Sequence, residues 1–503
     1  MARAWFRRQR LAAPRPHEGR DEGSREKLAP RASAEDGRAC HRFARTDRSA
    51  LGALHLRHRP GRCPVSPRPP LVLVPQFFGS TVFDRRTSRY FPFDHEATDV
   101  LLRARSVSLG DMIDAAPPER KDALGAFAEA FYRKDFFTHD LRFDGEALDL
   151  VPPADHLTGP LAVHLEVVAA CNLTCSHCFA GELPRREPPL TLAELDTLFA
   201  TLARMGSFRL GLTGGEPLLR KDLFDILDLA TSHGLHPCLT TNALMLTEET
   251  AKKLGERSLV WLNVSLDGAT AATNDAVRGA GTFDRVLEKL AMLRAHARFS
   301  LAFTVMRHNA DEARAFAELA AKTGAFTAVF RPLYPVGSAE AREELWPSFA
   351  DYERALDSIW TLGGDEAGRS AAVRAIDPFS PKSRHDSQAV VHDNWGCGAG
   401  NTVCSISVGG DVNPCSFLGP TFVEGNIRRT PFDRIWSEGE RFRRIRGLPG
   451  DGTGTATFGG GCRARSLVIA GDVNAPDPWL AEHERVPARR NPLTVLRAQR
   501  RLA

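Results

Sequence analysis

The 503-residue sequence predicts an α/β protein: a partial (β/α)6 TIM-like barrel, preceded by a small α+β domain and followed by a small irregular domain. Three observations carry this reading. Between Leu161 and Pro332 short apolar, β-branched runs alternate with helical patterns, as in parallel strands joined by crossover helices. From Leu71 to Val151, strand patterns precede helical ones. Beyond Pro335 the periodicity loosens and a group of cysteines appears.

With 43% hydrophobic residues the chain can fill two or three cores. Its net charge of +4 hides an asymmetry, since residues 1–70 carry 17 Lys and Arg against 7 Asp and Glu and leave the remainder mildly acidic. That remainder lacks the basic footprint of a nucleic-acid-binding surface. No stretch reaches the ~18 apolar residues of a membrane span, and the polar, Pro-rich run behind Arg3, Arg7 and Arg8 is not a secretory signal. A cytoplasmic protein with no membrane or nucleic-acid partner is expected. Its ten cysteines would be reduced there and suit metal ligation better than disulfides.

Residues 1–70 lack any apolar period and are expected to be a disordered basic tail. The first domain, 71–151, opens with strands at Leu71 to Val74, Thr81 to Asp84 and Tyr90 to Phe93, with a turn at Arg85 to Ser88. Asp94 can cap a helix through Arg105, a second helix covers Glu119 to Phe137, and Leu141 to Val151 suits a closing strand pair. After the linker Pro152 to Pro160, the barrel (161–335) has strands at Leu161 to Val168, Phe208 to Leu212, His236 to Thr240, Val260 to Leu266, Phe299 to Val305 and Phe326 to Pro332. Helices fall between them at Leu192 to Met205, Leu223 to His233, Thr247 to Leu254, Phe283 to His296 and Asp311 to Thr323, the first behind a Thr191/Glu194 capping box. A bridge (336–396), the irregular domain (397–480) and a basic C-terminal tail (481–503) complete the chain.

The chemistry gathers at strand ends. Cys171, Cys175 and Cys178 lie within eight residues directly after the first barrel strand, in Cys-Asn-Leu-Thr-Cys-Ser-His-Cys. Thiolates suit iron-sulfur clusters and zinc, so the triplet alone leaves half a zinc site open. Gly214-Gly215-Glu216-Pro217 follows the second strand, combining close backbone approach with a carboxylate that can pair with an ammonium. Asn242 closes the third strand; Ser265 and Asp267 close the fourth in Asn-Val-Ser-Leu-Asp-Gly; Arg278 sits in Val-Arg-Gly; Arg331 closes the sixth, open to a substrate or a structural role. Cys238, alone within the third strand, reads as a core residue.

A CxxxCxxC triplet after a strand, followed one strand later by GGEP, resembles the radical S-adenosylmethionine superfamily. The resemblance implies a [4Fe-4S] cluster on Cys171, Cys175 and Cys178, whose fourth iron chelates S-adenosylmethionine. It further implies that the GGEP segment meets the methionine amino group, Ser265 and Asp267 the ribose, Arg278 the carboxylate, Asn242 the cofactor, and His177 the adenine. One-electron reduction, from a donor such as flavodoxin or ferredoxin, then yields a 5′-deoxyadenosyl radical that takes a hydrogen from substrate.

Cys397, Cys404, Cys415 and Cys462, with the ending Cys462-Arg463-Ala464-Arg465, Gly471-Asp472 and Asp477-Pro478, resemble a truncated SPASM/Twitch-type auxiliary-cluster domain. Gly459 and Trp479 stand where the family often has cysteine. One auxiliary [4Fe-4S] cluster is implied, a four-cysteine zinc knuckle being the alternative. The run Val82 to Leu102 and the order of elements around it resemble winged-helix-like leader-peptide recognition domains of the PqqD type. Together these imply a peptide maturase with a precursor peptide whose leader binds residues 71–151. A maturase of small-molecule or tetrapyrrole cofactors is the alternative, and a non-catalytic iron-sulfur or zinc scaffold is the reading from another class.

Overall fold

The computed structural model describes residues 68–181, 188–360, 372–375, 397–447 and 461–483. Most of the expected tails, 1–70 and 481–503, and much of the 336–396 bridge lie outside the described residues. The chain divides into two compact units: the described part of the smaller is Arg103–Phe143, and the larger joins residues up to 102 with those from 144 onward.

In the larger unit, β1 (Leu71–Gln76), β2 (Gly79–Asp84) and β3 (Arg89–Phe93) form an antiparallel meander followed by helix α1 (His95–Arg103). Asp94 caps α1 by accepting from Ala97 N at 2.8 Å. The smaller unit holds α2 (Leu109–Ala115), which the sequence reading missed, and α3 (Pro118–Tyr132). The helix expected to reach Phe137 ends sooner, because Asp135 turns into the left-handed region at φ 57°. The strand pair expected at Leu141 to Val151 is instead one short strand, β4 (Gly145–Ala147), parallel to β1. The intervening helices carry the chain back to the start of β1, and such a crossover yields parallel pairing.

The barrel runs β5 (Ala162–Val168), α4 (Leu192–Arg204), β6 (Arg209–Gly214), α5 (Leu223–Ser232), β7 (His236–Thr241), α6 (Glu248–Gly255), β8 (Trp261–Ser265), α7 (Ala271–Arg278), α8 (Thr282–Leu293), β9 (Ser300–Val305), α9 (Ala313–Thr323) and β10 (Thr327–Pro332). Strands β5 to β10 are neighbours in order and all parallel. The Thr191/Glu194 capping box is present at the start of α4. Helix α7, inside the expected β8 to β9 connection, is the barrel element that went unforeseen; Thr270 caps it. Burial alternates along β5 and β7, so that Val163, Leu165 and Leu239 join the helix-side core while residues between them face the barrel interior.

After α10 (Phe349–Trp360), β11 (Ala372–Ala375) extends the sheet beside β10. On the other edge β12 (Val403–Ile406) pairs parallel with β5, and β13 (Asp411–Asn413) and β14 (Gly425–Asn426) continue antiparallel. The last domain is thus hydrogen-bonded into the barrel sheet rather than hung from it. It closes with α11 (Phe432–Glu438), α12 (Glu440–Arg446), α13 (Arg463–Ala470) and α14 (Trp479–His483).

The meander packs on the start of the barrel strands. Phe83 stacks on Phe208 with centroids 4.7 Å apart. Tyr90 Oη donates to Gly206 O at 3.0 Å and accepts from Phe208 N at 2.7 Å. No helix among the described residues is long and apolar enough to cross a membrane.

Candidate functional site

Beyond Val168 the chain leaves β5 as a loop that carries Cys171, exposed, and Cys175 and Cys178, half-buried. Its backbone is fastened at successive points. Gly215 N donates to Val168 O at 2.7 Å and Glu216 N to Ala170 O at 2.9 Å, so the GGEP turn is zipped onto the loop. A Cβ at Gly215 would stand 2.0 Å from Ala170 O, and Gly214 has φ 127°, so both positions need glycine. Pro217 opens the short 3-10 turn that follows. Asn242 Nδ2 donates to Asn172 Oδ1 at 2.7 Å, Ser176 N to Val277 O at 2.9 Å, and Ser338 N to Cys178 O at 2.9 Å.

Each strand end contributes a tether. Glu216, only 1% exposed, accepts from Thr241 Oγ1 at 2.6 Å, Asn242 N at 2.7 Å and Leu218 N at 3.0 Å. Its carboxylate therefore fixes the end of β7, and burial pushes its pKa up against those bonds. Asn242 Oδ1 accepts from Leu244 N at 3.0 Å across Ala243, a non-glycine residue at φ 65°.

Asp267 is at the centre of a group of protein contacts. It is fully buried, with Oδ2 at 2.6 Å from Arg278 and 3.0 Å from His177 Nε2, and with Oδ1 accepting from Thr304 N at 2.7 Å. Both oxygens are engaged by protein groups, so Asp267 ties the cysteine loop to the ends of the strands. Burial opposes its charge, but Arg278 and then His177 outweigh it and hold the carboxyl well below the usual carboxylate range. Arg278, expected to reach a cofactor carboxylate, is likewise committed to Asp267. Ser265, half-buried at the end of β8, faces the barrel interior.

Three supporting residues escaped the sequence reading: Asn172, Asn274 and Asn309. Asn274 Oδ1 accepts from Asp267 N at 3.1 Å, and Asn309 Nδ2 donates to Asp267 O at 2.9 Å. Asn274 and Asn309 offer only an asparagine at or near a helix start, too common a signal to single out, and Asn172 lies within the cysteine loop.

The donor set fits an iron-sulfur cluster. Three cysteines, none in a disulfide, share one short loop whose backbone is fastened at successive points, and three closely spaced thiols are the donor set that such a cluster takes. Burial pushes the Cys175 thiol up to about 11, with Arg278 pulling the other way; ligation displaces that proton. Among the described residues no three His, Cys, Asp or Glu side chains converge on a single-ion position. A cluster separates its thiolates more widely than one ion does.

In the last domain, Cys397, Cys415 and Cys462 pack in one small cluster with Val336, Leu418 and Phe422. Cys404 does not join them. Because β12 pairs with β5, Cys404 lies opposite Val163 and belongs to the main core. Its expected place as a fourth ligand is thus at odds with the packing, although Cys415 is near enough to be felt electrostatically. Burial pushes Cys415 up to about 12 and Cys462 higher than its usual value. Asp477 accepts from Cys462 N at 2.6 Å and from Arg465 at 2.9 Å, and Arg465 lies 3.5 Å over the Trp479 ring, which occupies the position where a cysteine was considered. Phe417, two residues after Cys415, stacks on Tyr334 at 4.5 Å and meets Phe179, next to Cys178, edge-on at 5.4 Å. Phe179 and Phe417, which follow Cys178 and Cys415 in sequence, thus bring the two cysteine loops into contact.

This arrangement agrees with comparisons to known proteins. The radical SAM superfamily profile matches residues 165–320, and that of the SPASM iron-sulfur cluster-binding domain matches residues 397–462, the first and last of the auxiliary cysteines. The chain is 33% identical over 344 residues to mycofactocin maturase MftC of Mycolicibacterium smegmatis, covering 66% of this chain and 85% of that protein. It is 34% identical over 341 residues to an AdoMet-dependent heme synthase of Methanosarcina barkeri, covering 64% and 96%. Streptococcus suis SuiB, solved bound to precursor peptide SuiA, shares the fold with TM-score 0.61 at 14% identity, covering 81% of this chain and 97% of SuiB. The chain belongs to the radical S-adenosylmethionine superfamily, as an enzyme that takes an S-adenosylmethionine-bound [4Fe-4S] cluster and an auxiliary iron-sulfur cluster in a SPASM domain.

Proposed function

We propose that the enzyme is a radical maturase of a ribosomally made precursor peptide. The observation that carries this is the alignment with mycofactocin maturase over 85% of that protein's length, beside the SPASM match at residues 397–462. When bound, the reduced cluster and S-adenosylmethionine supply a 5′-deoxyadenosyl radical that takes a hydrogen from the substrate. The protein's part is positioning. Cys171, Cys175 and Cys178 ligate the cluster; Gly214, Gly215, Glu216 and Pro217 shape the cofactor's amino end; Ser265, Asn242 and His177 face its remaining polar groups. Asp267 and Arg278 keep His177 and the loop in place. For the auxiliary cluster, Cys397, Cys415 and Cys462 are the ligands we favour, Cys404 being turned into the core.

Residues 71–151 act as the leader-binding element in this reading, with β3 at one edge of its sheet. A one-electron donor of flavodoxin or ferredoxin type feeds the cluster, in a reducing, cytoplasmic compartment. The heme synthase relatives support a second reading, maturation of a tetrapyrrole side chain. The deciding experiment offers the anaerobically reconstituted, reduced enzyme a peptide from a short reading frame beside its gene, or an iron porphyrin. Deoxyadenosine release coupled to a peptide mass change is expected; conversion of the porphyrin alone would overturn the peptide assignment.

A further inference from the structure

The chain that carries Cys171, Cys175 and Cys178 leaves the barrel at the end of β5 and returns at Leu190, just ahead of α4. At the point of departure the ladder is irregular. β5 advances two residues, from Glu166 to Val168, while β6 advances one, from Thr213 to Gly214, so Val167 is an extra residue in a bulge. On its other side β5 pairs with β12 only as far as Leu165. The carbonyl of Val167, a residue 1% exposed, thus falls outside both registers, and a buried carbonyl needs a donor from elsewhere.

Arg220 supplies it. Its backbone is held at the end of the 3-10 turn behind GGEP, where its N donates to Pro217 O at 2.9 Å. Asp222 grips the guanidinium through both oxygens, accepting from Nε at 2.8 Å and from Nη2 at 3.1 Å. So oriented, Nη1 donates to Val167 O and Nη2 to Leu190 O, each at 2.6 Å. One planar cation therefore spans the departure and the return of the cysteine-bearing loop, a task for a rigid fork of donors and not for a point charge. Past the bulge, Val168 O meets Gly215 N at 2.7 Å and Ala170 O meets Glu216 N at 2.9 Å, so the register that Arg220 supports is the one in which GGEP meets the loop.

We propose that Arg220 is a positioning residue of the cluster site: it stabilises the bulge at Val167, closes the base of the cysteine loop, and so fixes the loop against the GGEP turn. A site assembled from two segments depends on the groups that hold those segments to each other. Loss of Arg220 frees the base of the loop, and the effect falls on S-adenosylmethionine, which needs loop and turn in one arrangement. The inference rests on Cys171, Cys175 and Cys178 as ligands of the cluster, and it holds for a peptide and a porphyrin substrate alike.

The test compares the wild type with Arg220→Gln, Arg220→Lys and Arg220→Ala. In the full chain before cluster reconstitution, amide hydrogen exchange at Gly215 and Glu216 should quicken at least about tenfold in Arg220→Gln, while Ser300–Val305 on the far strand β9 keep the wild-type rate. In the reconstituted holoenzyme, calorimetric affinity for S-adenosylmethionine per intact cluster should fall at least about tenfold, the range of one charge-assisted hydrogen bond. Arg220→Lys should recover little of either, because lysine keeps the charge without the fork. Arg220 also lines a cavity of about 460 Å³ with Val167, Val168, Leu190, Thr191 and Asp222. Guanidinium chloride at about 20 mM, far below its denaturing range, should therefore restore affinity in Arg220→Ala. Wild-type affinity in Arg220→Gln, exchange that quickens equally at Ser300–Val305, full function in Arg220→Lys, or no recovery with guanidinium would overturn the proposal. Should Arg220→Gln fail to fold, Asp222→Asn leaves the guanidinium without its anion and must also quicken exchange at Gly215 and Glu216; wild-type rates there refute the clamp. Failure of the ligand assignment is distinguishable, since Cys178→Ala would then keep the wild-type iron content.

Discussion

His177 Nε2 lies 3.0 Å from Asp267 Oδ2, and this contact joins the stretch between the second and third cysteines to the end of β8. Arg278 holds the same oxygen at 2.6 Å from the end of α7. One carboxylate thereby fixes a loop, a strand and a helix together.

Replacing Asp267 by Asn should therefore act through the loop. It leaves Arg278 buried beside a neutral amide, and breaking a buried pair costs about 3–5 kcal/mol. Chemical denaturation should register that loss. Iron bound per chain and affinity for S-adenosylmethionine should fall together; wild-type values for both would show that the clamp does not position the cluster loop.

The auxiliary site makes opposite demands on its cysteines. Cys404→Ala should keep the auxiliary cluster's iron, since that thiol faces the main core, whereas Cys462→Ala should lose it. Anaerobic iron analysis with visible absorption reads both. Equal iron loss in the two variants would restore Cys404 as a ligand.

Tyr90 offers a probe of the N-terminal meander. Tyr90→Phe strands Phe208 N and Gly206 O, which the hydroxyl now serves from within the core. A cost of about 1–3 kcal/mol is expected for buried groups left unbonded. Uncoupled deoxyadenosine formation should change little, because the contact lies at the start of the strands and the cysteines at their ends.

His236, at the start of β7, should make the protein acid-sensitive. Burial, then Arg85 and Arg209, lower its pKa to about 3 from 6.5. Below 6.5 the unfolded chain takes up a proton that the folded one refuses, so stability falls as pH drops from 6.5 toward 3. Between pH 7 and 5.5 this amounts to about 1 kcal/mol. Denaturation midpoints at the two pH values should differ less in His236→Phe, which keeps a ring against Phe83.

Much of the barrel was legible in the chain. Strands such as His236–Thr241 and Ser300–Val305 lie within a residue of their expected bounds, because buried parallel strands between capped helices leave a strong local pattern. The cysteine triplet and GGEP were legible for a related reason: adjacent residues must serve one ligand, so their spacing survives in one dimension. Helix α7 and the three-residue β4 were not, being too short to carry a period.

What the sequence by itself determined is therefore the chemistry: which residues carry thiols, where they leave the strand, and that a second cysteine group exists. Tertiary structure alone decided how those residues are employed. It joined Asp267, Arg278 and His177 in one clamp. It carried Cys404 into the main core by pairing β12 with β5. It left Arg331 Nε buried without a hydrogen-bond partner among the described residues. The physical reason is common to all three. Partners of a buried charge or thiol come from strands and helices far apart in sequence, and only packing establishes which side chains meet.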